Sequence, residues 1–241
     1  MDYLYGTPYE IEQPKDMYHF SSDSELLGRF LKIEKKDTVL DIGTNNGVLL
    51  LYASMHQPKL LAGIDLFEEV IGTAGRNLAH NGIEAELSAI PLQEYVHEPF
   101  TQIICNPPFF TNRNDSLKKE NRYLRAARHD DRLKLNDLFR CSANLLEEGG
   151  IFSIILPADR VHEALSLSET EGFVLSRIAV VYDRRGGTLK RILMAFQYRK
   201  EADLQVEPAR YLDRLHEDSL FKAILRINVG KAYYALYLKM P

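Results

Sequence analysis

Residues 38–47 read Thr38-Val39-Leu40-Asp41-Ile42-Gly43-Thr44-Asn45-Asn46-Gly47, and Val48-Leu49-Leu50-Leu51-Tyr52-Ala53 follows directly. Thr38 to Asp41 is a short apolar run closed by a carboxylate, the pattern of a buried strand, and the apolar run from Gly47 to Ala53 opens a helix. Strand, glycine-bearing turn and helix form the first unit of an open α/β sheet, in which ligands sit beyond the carboxyl ends of the strands. The turn lacks the Gly-Lys-Ser/Thr ending of a phosphate-binding P-loop.

The same alternation continues outward from this unit. Leu60 to Ile64 predicts a second strand, with a helix after it from about Glu68 to His80. Strand patterns recur at Glu84 to Ser88, Thr101 to Cys105 and Ile151 to Leu156, the last preceded by a helical stretch, Leu133 to Leu146, and its Glu147-Glu148-Gly149-Gly150 stop. Strands alternating with helices at this spacing predict a parallel, doubly wound sheet. Phe173 to Tyr182 and Leu189 to Tyr198, joined by Asp183-Arg184-Arg185-Gly186-Gly187, predict an antiparallel hairpin that completes a seven-stranded Rossmann-like sheet. Upstream, the spacing of Leu26, Leu27, Phe30 and Leu31 fits a capping helix begun near Ser22 or Asp23. The expected division is a lead-in with its capping helix over 1–35, a main domain over 36–200, and a C-terminal extension over 201–241 packed on that domain.

A chain of 241 residues suits one large α/β domain. Hydrophobic residues at 45% and charged residues at 27% are ordinary for a soluble globular protein. The net charge of -4 excludes a surface that is basic throughout, so a polyanionic partner requires a local basic patch. The longest apolar runs, such as Ile151 to Leu156, fall far short of the roughly 20 residues of a membrane span. Met1-Asp2-Tyr3-Leu4 has neither the basic start nor the apolar core of a secretion signal. Two cysteines flanked by core-like residues suggest reduced thiols in a cytoplasmic protein and offer no metal-ligand spacing.

Asp41 at the first strand end can accept hydrogen bonds from an ammonium or from loop amides, and Asp65 at the second can take the two hydroxyls of a ribose. A dinucleotide site would use the same acidic position. The first loop leans toward S-adenosylmethionine over NAD: it departs from Gly-x-Gly-x-x-Gly and agrees with the Asp-x-Gly-x-Gly-x-Gly loop of class I methyltransferases, with Asn45 where that pattern has a glycine. Asparagine is the non-glycine residue that best tolerates positive φ, so the turn survives the exchange. The cofactor expected is S-adenosylmethionine.

Beyond the fourth strand stands Ile104-Cys105-Asn106-Pro107-Pro108-Phe109-Phe110. Consecutive prolines cannot donate to a sheet ladder and keep the preceding residues out of the helical region, so the strand ends here. The stretch lies at the same sheet edge as Asp41 and Asp65. An exocyclic amine of adenine or cytosine is a poor nucleophile because its lone pair is delocalised into the ring. With the Asn106 amide oxygen and the Pro107 carbonyl each accepting one N–H, the nitrogen pyramidalises and aims its lone pair at a sulfonium methyl. Phe109 offers a face for the base to stack on, worth about 1–3 kcal/mol by analogy with single-strand binders. Positioning and hydrogen-bond alignment carry the chemistry, and no strong general base is required. Cys105 has no activating pattern for covalent catalysis.

At these residues the chain resembles the amino-group methyltransferases with Asp/Asn-Pro-Pro-Tyr/Phe, which act on adenine, cytosine or a protein glutamine. The lead-in Gln13-Pro14 and Tyr18-His19-Phe20-Ser21-Ser22-Asp23-Ser24-Glu25-Leu26-Leu27 is similar to the bacterial valine-tRNA adenine-37 N6-methyltransferase family. So are Gly75-Arg76-Asn77-Leu78-Ala79-His80-Asn81-Gly82, Ala127-Arg128-His129 and Lys190-Arg191-Ile192-Leu193. The resemblance spans roughly residues 10 to 200. It implies a class I fold, S-adenosylmethionine held by Asp23, Asp41, Gly43, Thr44, Gly47, Asp65, Leu66 and Asn106, catalysis by Asn106, Pro107, Pro108 and Phe109, and a tRNA substrate with no metal. The chain departs from the family at Ala89-Ile90-Pro91-Leu92, where an acidic residue usually stands near the cofactor's adenine; Gln93 and Glu94 are the nearest polar substitutes.

Between Asn112 and Asp131 the chain carries Arg113, Lys118, Lys119, Arg122, Arg125 and Arg128. This basic segment beside the transfer site is where phosphates are expected, with Phe109, Phe110, Arg122, Arg125, Arg128, Lys190 and Arg191 facing substrate and Arg184 and Arg185 extending the patch. A base near an anticodon is single-stranded or loosely stacked, so presenting its edge costs less than flipping from a duplex. The residues favour N6-methylation of a tRNA adenine, adenine 37 of tRNA(Val) being the target that the resemblance implies; the sequence leaves the oligomeric state open, with a monomer slightly favoured. Two other readings stay open: methylation of another amino group, such as a protein glutamine or a DNA adenine, and a noncatalytic RNA-binding protein with a degenerate cofactor loop.

Overall fold

The computed structural model describes residues 1–14, 19–108 and 133–215. Strands β1 (Asp2–Tyr3) and β2 (Glu10–Ile11) form a small antiparallel hairpin. Helix α1 (Ser22–Gly28) begins at Ser21, whose hydroxyl accepts the Asp23 backbone N–H at 3.3 Å, as an N-cap serine does. Then come β3 (Thr38–Ile42), α2 (Val48–Ser54), β4 (Leu60–Asp65), α3 (Glu68–His80), β5 (Glu86–Ala89) and β6 (Phe100–Cys105). Past residue 132 follow α4 (Leu135–Leu145), β7 (Leu146–Pro157), α5 (Val161–Thr170), β8 (Phe173–Tyr182) and β9 (Leu189–Tyr198). Two-residue strands β10 (Gln205–Val206) and β11 (Arg210–Tyr211) end the described chain.

The main sheet runs in the order β5-β4-β3-β6-β7-β9-β8, with β10 and β11 both added to the free edge of β8. The seven expected strands are all present, and the two short ones bring the total to nine. Strands β3 to β7 are parallel, whereas β9 runs antiparallel between β7 and β8. Strand order reverses at β3, which has β4 on one side and β6 on the other, and a crevice opens beyond the carboxyl ends at such a switch point.

Both faces of the sheet are covered. On one, α4 and α5 pack over a cluster in which the Phe139 ring meets Phe152, Phe173 and Phe196 edge-on at centroid distances of 5.2, 5.7 and 5.3 Å. On the other, α1 and α2 pack with Leu4, Ile11 and Leu78. Gly28 of α1 lies against the Tyr52 ring of α2, where a Cβ would come within 2.3 Å of the ring.

The Glu147-Glu148-Gly149-Gly150 stretch is not the loop that its composition predicts but part of β7. Leu146 is buried and pairs with Phe100, which draws the following residues into extended structure with both glutamates exposed. Gly149, at φ 83°, absorbs the irregularity, and the register of β6 against β7 shifts between Phe100 and Gln102.

Two buried polar networks fix the flanks. Asn77 of α3 and Asn81, which caps its C-terminus one turn later, hold the N-terminal segment. Asn77 accepts the Glu12 N–H at 2.7 Å and donates to the carbonyls of Glu12 at 3.1 Å and Asn46 at 2.9 Å, while Asn81 exchanges two bonds with the Glu10 backbone. At the opposite end, Arg177 donates to the Phe30 carbonyl at 2.6 Å and to Glu207 at 2.8 Å, and Arg210 bonds the same carboxylate at 2.9 Å. Residues 202–215, which sequence patterns did not place, are held by these ion pairs, by the pairing of β10 and β11 with β8, and by Leu212 and Leu215 packed against the core.

No helix among the described residues is long and apolar enough to cross a membrane, and no group of three or more His, Cys, Asp or Glu among them could hold a metal ion.

Candidate active site

A cleft with about 1070 Å³ of empty space, including its open mouth, lies at the carboxyl ends of β3, β4 and β6. The glycine turn from Gly43 to Asn46 forms one wall, with Asp65 and Leu66 beside it; Asn106, Pro107 and Pro108 form another; Phe20 and Ser24 close it from above. Asp65, the turn and Asn106 thus reach one space from three strands, as their places in sequence imply.

The turn takes the left-handed conformation at Gly43 (φ 72°), Asn45 (φ 50°) and Gly47 (φ 84°), so Asn45 adopts the backbone shape for which related loops use glycine. The N–H groups of Gly43 and Thr44 both donate to the Ile64 carbonyl at 2.9 Å. Asp65 secures the next residue: its Oδ2 accepts the Asn45 N–H at 3.1 Å and its Oδ1 accepts the Leu66 N–H at 2.7 Å. A carboxylate offers about four acceptor sites, so capacity remains toward the cleft. Burial pushes the Asp65 carboxyl above its ordinary pKa, and the backbone amides of Asn45, Leu66 and Phe67 oppose that shift.

Asp41 sits differently from the sequence expectation. It is fully buried beneath the turn, is not on the cleft wall, and neither oxygen meets a donor in hydrogen-bond geometry among the described residues. Burial pushes its pKa up to about 7; the nearby Thr44 side chain partly offsets the rise, and the Asp65 charge adds to it. Thr44 Oγ1 and both amide atoms of Asn46 are also buried without partners among the described residues, and both residues line the cleft. Buried polar atoms are normally paired. A ligand carrying both donors and acceptors therefore fits this wall.

Asn106 directly follows β6, half-buried, and its Nδ2 donates to Ser24 Oγ at 3.1 Å. Pro107 is buried and Pro108 half-buried beside it. Cys105 is fully buried, and burial pushes its thiol well above the ordinary pKa, the opposite of an activated nucleophile. Where the family's acidic residue is missing, Ile90, Leu92 and Gln93 line the cleft, and Gln93 is the polar one.

Two placements differ from expectation. Asp23, placed on the cofactor, and Arg191, placed on the substrate, instead bond each other, with Arg191 Nε donating to Asp23 Oδ2 at 2.9 Å. Asp23 is buried off the cleft wall because successive helical residues point about 100° apart, and its neighbour Ser24 is the one that faces the cleft. Lys190 is exposed, as are Arg184 and Arg185 on the hairpin. Phe109, Phe110, Arg122, Arg125 and Arg128 lie outside the described residues. Ser24 and Phe20 are cleft residues to which sequence reasoning gave no role; both stand in the Phe-Ser-Ser-Asp-Ser lead-in, from which the family resemblance singled out Asp23.

The family model of the methyltransferase small domain matches residues 18–170. The chain belongs to that family. Among relatives, a tRNA1(Val) (adenine(37)-N6)-methyltransferase of Phocaeicola vulgatus is 30% identical over 199 residues, which cover 79% of this chain and 83% of the relative. A protein of the same name from Pseudoalteromonas translucida is 31% identical, covering 74% and 77%. A solved methyltransferase structure from Pyrococcus furiosus superposes with a TM-score of 0.56 at 18% identity, covering 78% of this chain and 88% of that one, a likeness of fold.

Proposed function

We propose that the protein transfers a methyl group from S-adenosylmethionine to the N6 amine of an adenine in tRNA, adenine 37 of tRNA(Val) being the target that the relatives' names suggest. The observation that carries this reading is the convergence of the Asn106 amide, the Pro107-Pro108 turn, the glycine turn and Asp65 on one cleft.

The unpartnered polar atoms of Thr44 and Asn46 and the remaining acceptor capacity of Asp65 suit a ligand with amino-acid and ribose groups. Leu66, Ile90 and Leu92 supply apolar walls, with Gln93 the polar group beside them. S-adenosylmethionine supplies an electrophilic methyl on a sulfonium.

The protein's part is alignment. The Asn106 amide oxygen and the Pro107 carbonyl each accept one N–H of the target amine, which draws its lone pair out of the ring. A carboxylate is not needed to remove a proton beforehand, since the attacking lone pair is already present on the neutral amine; as the C–N bond formed, the C–S bond would break to leave a neutral thioether, and the methylated nitrogen would then release one proton to solvent. Phe109 provides the stacking face. The hairpin turn after β8 lies at the cleft's edge of the sheet, where exposed Arg184, Arg185 and Lys190, with Arg122, Arg125 and Arg128 of the basic segment, meet phosphates.

Calorimetric titration with S-adenosylmethionine, then methyl transfer to unmodified bulk tRNA with nucleoside analysis, tests this. Binding with appearance of N6-methyladenosine is expected. A protein that binds no cofactor is noncatalytic, and one that methylates protein glutamine rather than RNA belongs to the other amino-group class; either outcome overturns the proposal.

A further inference from the structure

We infer that Ser24 is a positioning residue that holds the Asn106 side-chain amide in place at the reacting amine. This deepens the proposed methyl transfer and rests on it.

A side-chain amide has two ends of nearly equal size, one accepting hydrogen bonds and one donating them. Only the oxygen can receive an N–H from an amine; with the amide turned over, its own N–H groups would face those of the substrate. Asn106 stands at the last position before two prolines, at the end of β6, where ladder bonds no longer hold its surroundings. Its Nδ2 donates to Ser24 Oγ at 3.1 Å. A serine hydroxyl can accept from Nδ2 or donate to Oδ1, so the bond fixes where the amide stands rather than choosing its end; in the arrangement seen, Nδ2 is the end taken by Ser24 and Oδ1 the end left for the amine.

Ser24 is itself fixed. It is 4% exposed, and its backbone N–H donates to the Ser21 carbonyl at 3.0 Å within the capped first turn of α1. The adjacent Asp23 is tied to Arg191 of β9 at 2.9 Å. The helix that carries Ser24 is therefore held from the cap and from the hairpin strand, and both Ser24 and Asn106 line the cleft. The Asp23–Arg191 pair thereby serves the transfer site indirectly, by holding the turn on which Ser24 stands.

The experiment compares wild type, Ser24→Ala and Ser24→Thr by single-turnover methyl transfer to tRNA, cofactor titration, RNA binding and thermal melting. In Ser24→Ala the transfer rate is expected to fall about tenfold, the size of one missing hydrogen bond, while cofactor and RNA affinities stay within about twofold of wild type. Ser24→Thr, which keeps the hydroxyl, returns most of the rate. Three results overturn the inference: Ser24→Ala turning over as fast as wild type, Ser24→Ala losing rate only in step with cofactor affinity or melting temperature, or a well-folded Ser24→Thr no faster than Ser24→Ala. A wild-type protein that binds cofactor yet transfers no methyl to tRNA instead removes the reading beneath it, so the two failures are told apart by the wild-type control.

Discussion

The backbone N–H of Asn45 donates to the Asp65 carboxylate at 3.1 Å, so the end of β4 holds the turn that follows β3. One carboxylate thus shapes the loop and also faces the cleft. Asp65→Ala is expected to weaken S-adenosylmethionine binding about ten- to hundredfold, since hydrogen bonds to charged groups are worth roughly 1.5–3 kcal/mol, and to lower thermal stability as well. Calorimetry and melting of the same sample check both; a variant with normal affinity refutes the assignment of Asp65 to the ligand.

Asn106→Ala removes the acceptor proposed for the target amine. Methyl transfer should drop by about 10²-fold or more, the scale seen when one well-aimed polar group is removed from an active site. RNA affinity should stay near wild type. Turnover retained in this variant is incompatible with the alignment mechanism.

Asn77 satisfies the Glu12 backbone and the Asn46 carbonyl from within α3. Asn77→Ala leaves these groups without their partner in the folded state, and urea unfolding should show a loss of roughly 2–4 kcal/mol. A loss below about 0.5 kcal/mol would mean that water replaces the asparagine readily.

Asp41 predicts a pH dependence. Its folded pKa of about 7 lies above the unfolded value near 4, so between these limits the folded state binds more protons and stability falls as pH rises. Ligand-free protein should therefore have a higher urea midpoint at pH 5 than at pH 8. Asp41→Asn should flatten that slope in part, leaving the contribution of Asp65, whose shift has the same sign. A slope undiminished in Asp41→Asn assigns the effect elsewhere.

Changing Arg184, Arg185 and Lys190 together to Glu should weaken tRNA binding and reduce the steepness of its salt dependence, because a surface that neutralises fewer phosphates releases fewer counterions on binding. These side chains are exposed, so the fold should be unaffected. Binding isotherms at several salt concentrations decide it; an unchanged slope moves the RNA away from the hairpin.

Much of this fold was legible in the chain. The bounds Glu68–His80, Phe173–Tyr182 and Leu189–Tyr198 match the sequence expectation residue for residue, because each element has strong periodicity and clear turn chemistry at its ends. Boundaries slipped where tertiary pairing overrode local signals, as at Glu147 to Gly150, which join β7 because Leu146 pairs with Phe100. The cleft's acidic and amide residues were readable from their positions at strand ends. The Asp23–Arg191 bond was not, since it joins residues 168 apart and no local pattern couples them. Ser24 went unassigned for a related reason: which of two neighbouring helical residues faces a cleft depends on the rotation of α1, which packing on α2 and β9 sets.

The placement of β9 between β7 and β8 has a consequence for how the nascent chain leaves the ribosome. Strand β7 is synthesised before its permanent neighbour, and β8 emerges next without being able to dock beside it. At about 5–20 residues per second, the roughly 40 residues from Pro157 to Tyr198 keep the hydrogen-bonding edge of β7 open for approximately 2–8 s. Throughout that interval Phe152, Ile154, Ile155 and Leu156 belong to a strand that can pair with β6 on one side only, so the newborn polypeptide carries an open, apolar sheet edge that invites aggregation until β9 arrives.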